Sequence, residues 1–155
     1  MKLILLRHGT AEDFNPGGDF HRALVEKGHR QAKNAGSFLK RHEQLPDIVL
    51  TSPLVRARQT AEDFCQAAGL DAPVIQDWLA SGMRAEHAAK ELSAFGEFAS
   101  VMIVGHEPDF SELIGWFLGA ATGSIEVKKG ALVCLETRPP SRVGVLRWAV
   151  PPVFC

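Results

Sequence analysis

Two uninterrupted apolar runs, Leu3 to Leu6 and Val101 to Val104, constrain this chain more than any other feature. Successive side chains of a strand point to opposite faces, so four apolar residues in a row demand a strand covered on both sides. Around these runs the apolar spacing is helical. A helix is predicted over 26–41, with Ala32, Ala35, Gly36 and Leu39 on one side. A strand follows over 47–51. Ser52 as N-cap and Pro53 as first residue open the next helix. Its buried stripe is Ala57, Thr60, Ala61, Phe64, Cys65 and Ala68, and Gly69 ends it.

The alternation continues. A short strand is expected over 73–76. Ala85, Ala88, Ala89, Leu92 and Phe95 mark a helix that stops at Gly96, and Phe110, Leu113, Ile114, Phe117 and Leu118 mark one near 108–118. Two closing strands, near 131–136 and 143–149, flank the turn Pro139-Pro140-Ser141. The expected fold is a three-layer α/β/α sandwich with a mainly parallel sheet and an antiparallel hairpin at its C-terminal edge. With 155 residues and no repeat or linker, one domain over 1–155 is expected.

Composition narrows the class. Seventeen Lys and Arg against 18 Asp and Glu leave a formal charge of −1, so no bulk positive field draws nucleic acid. Any bound anion must be held by a few local groups. The apolar run ending at Arg7 is too short for a signal core or a membrane span, so no membrane partner is expected. Cys65, Cys134 and Cys155 are far apart, form no C-x-x-C, and read as reduced thiols in a cytoplasmic protein. The apolar tail 150–155 is expected to pack on a core edge.

Ligands of open α/β sheets bind beyond the carboxyl ends of the strands. Three strand ends carry related chemistry: Arg7-His8-Gly9, Thr51-Ser52-Pro53 leading to Arg56, and Gly105-His106-Glu107. Two arginines and two histidines thus meet two helix N-termini on one rim, a setting for a phosphoryl dianion. Gly9 is expected to let the backbone approach the phosphate. Arg58, turned about 200° from Arg56 on an ideal helix, is expected in solvent. Arg22 and Arg84 follow loops that could fold over the rim. His21, His29, His42 and His87 read as surface residues.

Arg7-His8-Gly9 after a short strand, then Ser52-Pro53-Leu54-x-Arg56-Ala57-x-Gln59-Thr60-Ala61, then Gly105-His106 after a late strand, resemble the histidine phosphatase (phosphoglycerate-mutase-like) superfamily. The short length and Arg22-Ala23-Leu24-x-x-x-Gly28 resemble most the small SixA-type phosphohistidine phosphatases. The resemblance implies that His8 is the nucleophile, taking the phosphoryl group as a phosphohistidine that water then hydrolyses. It implies that Arg7, Arg56 and His106, the last as a charged donor, hold the phosphoryl oxygens. Neither metal nor other cofactor is expected, since these groups supply the charge a cation would bring. A backbone carbonyl close to Gly9 is expected to fix the His8 tautomer.

Relatives that cleave phosphate esters carry a glutamate as general acid after the third strand. Here that segment, Asp77 to Glu86, holds none in a matching context. Glu12, Asp13, Asp77 and Glu107 are the candidates. An alkoxide leaving group needs a proton, whereas imidazole, with a conjugate-acid pKa near ~6.5, needs little help. The substrate expected is therefore phosphohistidine on a protein, such as a histidine phosphocarrier domain. The alternatives are a small-molecule phosphomonoesterase using Glu12, Asp13 or Asp77, a non-catalytic phosphate-binding module, and a metal hydrolase with His8, His106 and Asp109 as ligands.

Overall fold

In the computed structural model, which describes residues 1–155, strand β1 (Lys2–Arg7) turns Leu3 and Leu5 to one face and Ile4 and Leu6 to the other, all four buried. Strand β4 (Ser100–Gly105) is buried along its whole length. β1 and β4 pair in parallel. Beyond β4 come β2 (Ile48–Thr51) and β3 (Val74–Ile75), also parallel. On the other side β5 (Leu132–Thr137) runs antiparallel to β1, and β6 (Gly144–Val150) antiparallel to β5. The six-stranded order is β3-β2-β4-β1-β5-β6.

Helices α1 (Glu26–Arg41) and α2 (Val55–Ala68) cover Ile4, Leu6, Val49, Met102, Val104 and Cys134. Helices α3 (Ala85–Leu92) and α4 (Asp109–Leu118) cover the opposite face, with Phe110, Leu113 and Phe117 against Leu3, Leu5, Ile103 and Leu135. This is the expected three-layer sandwich. Each fully buried Phe, such as Phe64, contributes about 2–3 kcal/mol through removal of its surface from water. At Gly36 the two helices touch so closely that a Cβ would lie 2.5 Å from the Phe64 carbonyl oxygen. No helix is long and apolar enough to cross a membrane.

Three expectations change. α2 begins at Val55 behind Leu54, which makes no side-chain cap, and Ser52 lies two residues before that position with its hydroxyl between Leu54 N–H and His106. α3 ends at Leu92, and Ser93–Phe95 is a 3₁₀ turn. In the tail, Val150 and Cys155 pack against the α1–α2 core, whereas Val153 and Phe154 remain 78% and 70% exposed.

Candidate active site

Strand register assembles the site. Arg7 lies opposite Gly105, so the next residues, His8 and His106, leave neighbouring strands at the same level. The His8 N–H donates to the Gly105 carbonyl at 3.0 Å, and the Ser52 N–H to that of Val104 at 3.0 Å. Three strand ends are thereby fixed side by side. His8, His106, Ser52 and Arg56 are all buried, and the two imidazole centroids are 5.3 Å apart.

His8 has its proton placed by the backbone. Its Nδ1 is 2.8 Å from the Gly9 carbonyl oxygen, which can only accept, so Nδ1 carries the hydrogen and Nε2 the lone pair. Burial, followed by the charges of Arg56, Arg7 and Lys129, pushes its pKa down to about 4 against the Gly9 hydrogen bond. His106 is pushed down to about 3 by burial, then by His8 and Arg56. In the free protein these shifts favour the neutral form of both rings at neutral pH.

The guanidinium of Arg7 donates from Nη1 to the Val127 carbonyl at 2.8 Å. That of Arg56 donates from Nη1 to the Asp19 carbonyl at 2.8 Å and from Nη2 to its carboxylate at 3.1 Å. The Nε of each, and Nδ1 of His106, are buried without a partner. Only two other buried side-chain atoms share that condition, Ser100 Oγ and Thr137 Oγ1, and both lie at the opposite end of the sheet. An unpaired buried donor costs about 1–3 kcal/mol. Three nitrogens so placed beside a neutral imidazole are suited to pair with an anion of several oxygens.

The α2 motif serves two ends. Arg56 enters the site, while Gln59 and Thr60, three and four residues later, hold the segment between β1 and α1. Thr60 Oγ1 accepts the Gly9 N–H at 3.1 Å, and Gln59 Oε1 the Leu24 N–H at 2.7 Å. In the structure Gly9, expected beside the phosphate, is held in close backbone packing. Its N–H is committed to Thr60, and a Cβ there would lie 2.6 Å from the Gly28 carbonyl oxygen.

The remaining candidates are mostly engaged elsewhere. Arg22 donates from Nε to the Glu12 carbonyl at 2.6 Å and from Nη1 to Asp19 at 2.8 Å, so it reaches the site only through Asp19. Arg84 is exposed at the start of α3, lining a separate cleft of about 650 Å³ with His87, Lys90 and Trp116. Five surface cavities of the chain are lined by residues other than His8 and His106. Donors that close tightly on a small anion need no large void. Glu12 accepts from the Ala23 N–H and from Asn15, and these bonds lower its pKa, the reverse of what a proton donor requires. Glu107 accepts the Ser111 N–H at 2.9 Å. Asp13 and Asp77 are exposed.

Asp109 faces the N–H groups of Gly82 and Met83. No group of three or more His, Cys, Asp and Glu side chains is placed to hold a metal ion. Arg58 is exposed beside Glu62, as expected. Sequence reading missed Asp19, whose only signal was its spacing of three from Arg22, and it misread Ser52 as a cap.

Residues 3–79 match the histidine phosphatase superfamily (branch 1). The chain belongs to this superfamily. A 2,3-bisphosphoglycerate-dependent phosphoglycerate mutase of Corynebacterium diphtheriae is 44% identical over 82 residues, which is 50% of this chain and only 33% of the mutase. The protein histidine phosphatase SixA, solved with tungstate, superposes with a TM-score of 0.89 at 24% identity over 99% of both chains. A SixA-class protein of Agrobacterium tumefaciens superposes with a TM-score of 0.84 at 28% identity over 97% of both. The chain thus has the fold of the small SixA-type proteins.

Proposed function

We propose that this chain is a phosphohistidine phosphatase acting on a phosphorylated protein, with His8 as nucleophile and Arg7, Arg56 and His106 as the phosphoryl clamp. The observation that carries the reading is the set of three buried, unpartnered nitrogens, Arg7 Nε, Arg56 Nε and His106 Nδ1, around an imidazole whose Nε2 lone pair is free. In the first step His8 Nε2 bonds to phosphorus as the substrate's P–N bond breaks. The substrate ring, protonated on its other nitrogen, departs as neutral imidazole. In the second step a water oxygen bonds to phosphorus, the P–N bond to His8 breaks, and the water's proton passes to solvent. The clamp strengthens as negative charge builds on the phosphoryl oxygens.

Two features support a P–N over a P–O substrate. Glu12 and Asp19, the carboxylates tied into the segment after His8, both have lowered pKa values from the hydrogen bonds they accept, and so hold no proton near neutrality. Glu107 is turned to the start of α4. With no protonated carboxyl beside Nε2 of His8, the chemistry favours a leaving group that needs none. The clamp itself supplies the charge that a cation would otherwise bring.

The test compares a phosphohistidine-bearing carrier domain with sugar phosphates, and traps the enzyme with ³²P. Selective turnover of the phosphohistidine protein, through an acid-labile phosphoenzyme that disappears in His8→Ala, is the expected result. Efficient sugar-phosphate hydrolysis that depends on one carboxylate overturns the substrate. Tight tungstate binding without any phosphoenzyme makes the chain a binding module.

A further inference from the structure

The reading above leaves unexplained how a neutral imidazole at position 106 comes to present a hydrogen, rather than a lone pair, to a phosphoryl oxygen. The answer lies in a hydroxyl that the proposed chemistry does not use. Ser52 is fully buried at the end of β2, and its Oγ has two neighbours. One is the Leu54 N–H at 3.3 Å, the other Nε2 of His106 at 2.8 Å.

A hydroxyl has one hydrogen and two acceptor positions. The Leu54 N–H can only donate, so it takes one acceptor position. If His106 carried its hydrogen on Nε2, it would take the other. The hydroxyl hydrogen of Ser52 would then be buried without an acceptor, and Nδ1 would be a buried lone pair without a donor. If Ser52 instead donates to Nε2, both contacts of its Oγ are hydrogen bonds, one accepted from Leu54 N–H and one donated to His106. The imidazole hydrogen then sits on Nδ1, the buried nitrogen that has no partner within the molecule.

We infer that Ser52 is a positioning residue that fixes His106 as its Nδ1–H tautomer, so that this ring donates a hydrogen bond to the phosphoryl group without being protonated. The inference rests on the proposed phosphoryl clamp for its purpose, but its geometry stands independently. Ser52 Oγ contacts Nε2 and itself accepts the Leu54 N–H, and His8, Arg56, Asp19 and Arg7 are the charged or titratable groups acting on the ring. Protonating His106 would turn Nε2 into a donor and take away the only acceptor of the Ser52 hydrogen. Ser52 therefore reinforces the neutral ring that burial and the two arginines already favour.

The arrangement complements that of His8. There a backbone carbonyl holds the hydrogen on Nδ1, freeing Nε2 to attack. Here a hydroxyl holds the lone pair on Nε2, freeing the Nδ1 hydrogen to bind. Two chemically identical side chains at matching strand ends are thus given opposite tasks by one acceptor and one donor.

The decisive measurement is the ring ¹⁵N spectrum of His106 in the full chain at pH 7, without any variant. A protonated Nδ1 and unprotonated Nε2 are expected, and a protonated Nε2 overturns the inference whatever the activity. In Ser52→Ala the tautomers are expected to mix, with kcat falling on the order of tenfold to a hundredfold, as for loss of an orienting partner. Inorganic phosphate affinity is expected to fall alongside. Ser52→Thr, which keeps the hydroxyl, is expected to retain the Nδ1–H form. An unchanged tautomer and unchanged kcat in folded Ser52→Ala overturn the inference as well. Failure to trap a phosphoenzyme in a wild type whose His106 is the Nδ1–H form sinks the proposed function and leaves this assignment standing.

Discussion

His8 and His106 face one another with ring centroids 5.3 Å apart and planes inclined at 55°, and His8 adds to the difficulty of charging His106. The consequence is kinetic. Only neutral His8 can attack, and its pKa of about 4 keeps it neutral well below the usual imidazole range. After correction for ionisation of the substrate, the acid limb of kcat/KM is expected near pH 4. A limb near ~6.5, the unperturbed imidazole value, would mean that the buried, arginine-flanked environment does not govern the nucleophile.

The same shift makes stability depend on pH in a defined window. Both folded-state pKa values are depressed, so the unfolded chain binds protons first as pH falls. The stabilisation is complete above ~6.5 and is lost progressively towards about 4 for His8 and about 3 for His106. For His8 alone the loss is roughly 3 kcal/mol. Urea titrations between pH 7 and 5, above the range where Asp19 and Glu12 protonate, are expected to show a declining midpoint. His8→Ala is expected to reduce that decline, and a midpoint flat across the window would contradict the burial argument.

Asp19 covers Arg56 with both its carbonyl and its carboxylate, and is itself held by Arg22. A phosphoryl dianion must therefore share Arg56 with a resident negative charge. Asp19→Asn removes that charge and leaves the backbone carbonyl in place. Inhibition by inorganic phosphate is expected to tighten about threefold to tenfold at low salt, with a smaller effect in high salt. The cost in stability is expected to stay within about 1 kcal/mol, as for an ion pair with one exposed partner. A weaker phosphate constant would show that Asp19 serves to orient Arg56 rather than to compete for it.

What the sequence made legible, and what it hid, follows from the range of the interactions. The doubly buried runs 3–6 and 101–104 announced central strands because burial on both faces leaves a purely local mark. α1 was legible to the residue for the same reason, through its stripe of Ala32, Ala35 and Leu39. The strand-end position of His8 and His106 was legible once the strands were. Ser52 was not, because Ser-Pro before a helical stripe carries a local meaning, the N-cap, that masked a partner 54 residues away. Asp19 was hidden likewise, since its contact with Arg56 spans 37 residues. The lowered pKa of His106 in the free protein was also hidden, because burial, which depends on the whole fold, dominates it.

Gly28 tests whether the nucleophile depends on backbone packing beneath it. Sequence offered Gly28 only as part of a pattern, Arg22-Ala23-Leu24-x-x-x-Gly28. In the structure its first-turn position on α1 lies against the segment that leaves β1, where an added Cβ would stand 2.1 Å from the Thr10 carbonyl oxygen and 3.0 Å from Leu24. The clash is with backbone, which cannot rotate away. Thr10 follows Gly9, whose carbonyl holds the His8 hydrogen and whose own Cα faces Gly28. Gly28→Ala must therefore push α1 outward or shift 9–10, at a stability cost of about 1–3 kcal/mol for an overpacked contact. The move is transmitted to the 2.8 Å contact between His8 Nδ1 and Gly9. The expected outcome is a fall in kcat on the order of tenfold or more in protein that is still folded by circular dichroism, since displacements of about 1 Å at a reacting group can cost a hundredfold. Gly82→Ala provides the comparison for overall folding, because its Cβ would meet nothing within 4 Å although its φ of +94° carries strain. Equal losses of kcat in the two variants, or none in Gly28→Ala, would uncouple the glycine contact from the placement of His8.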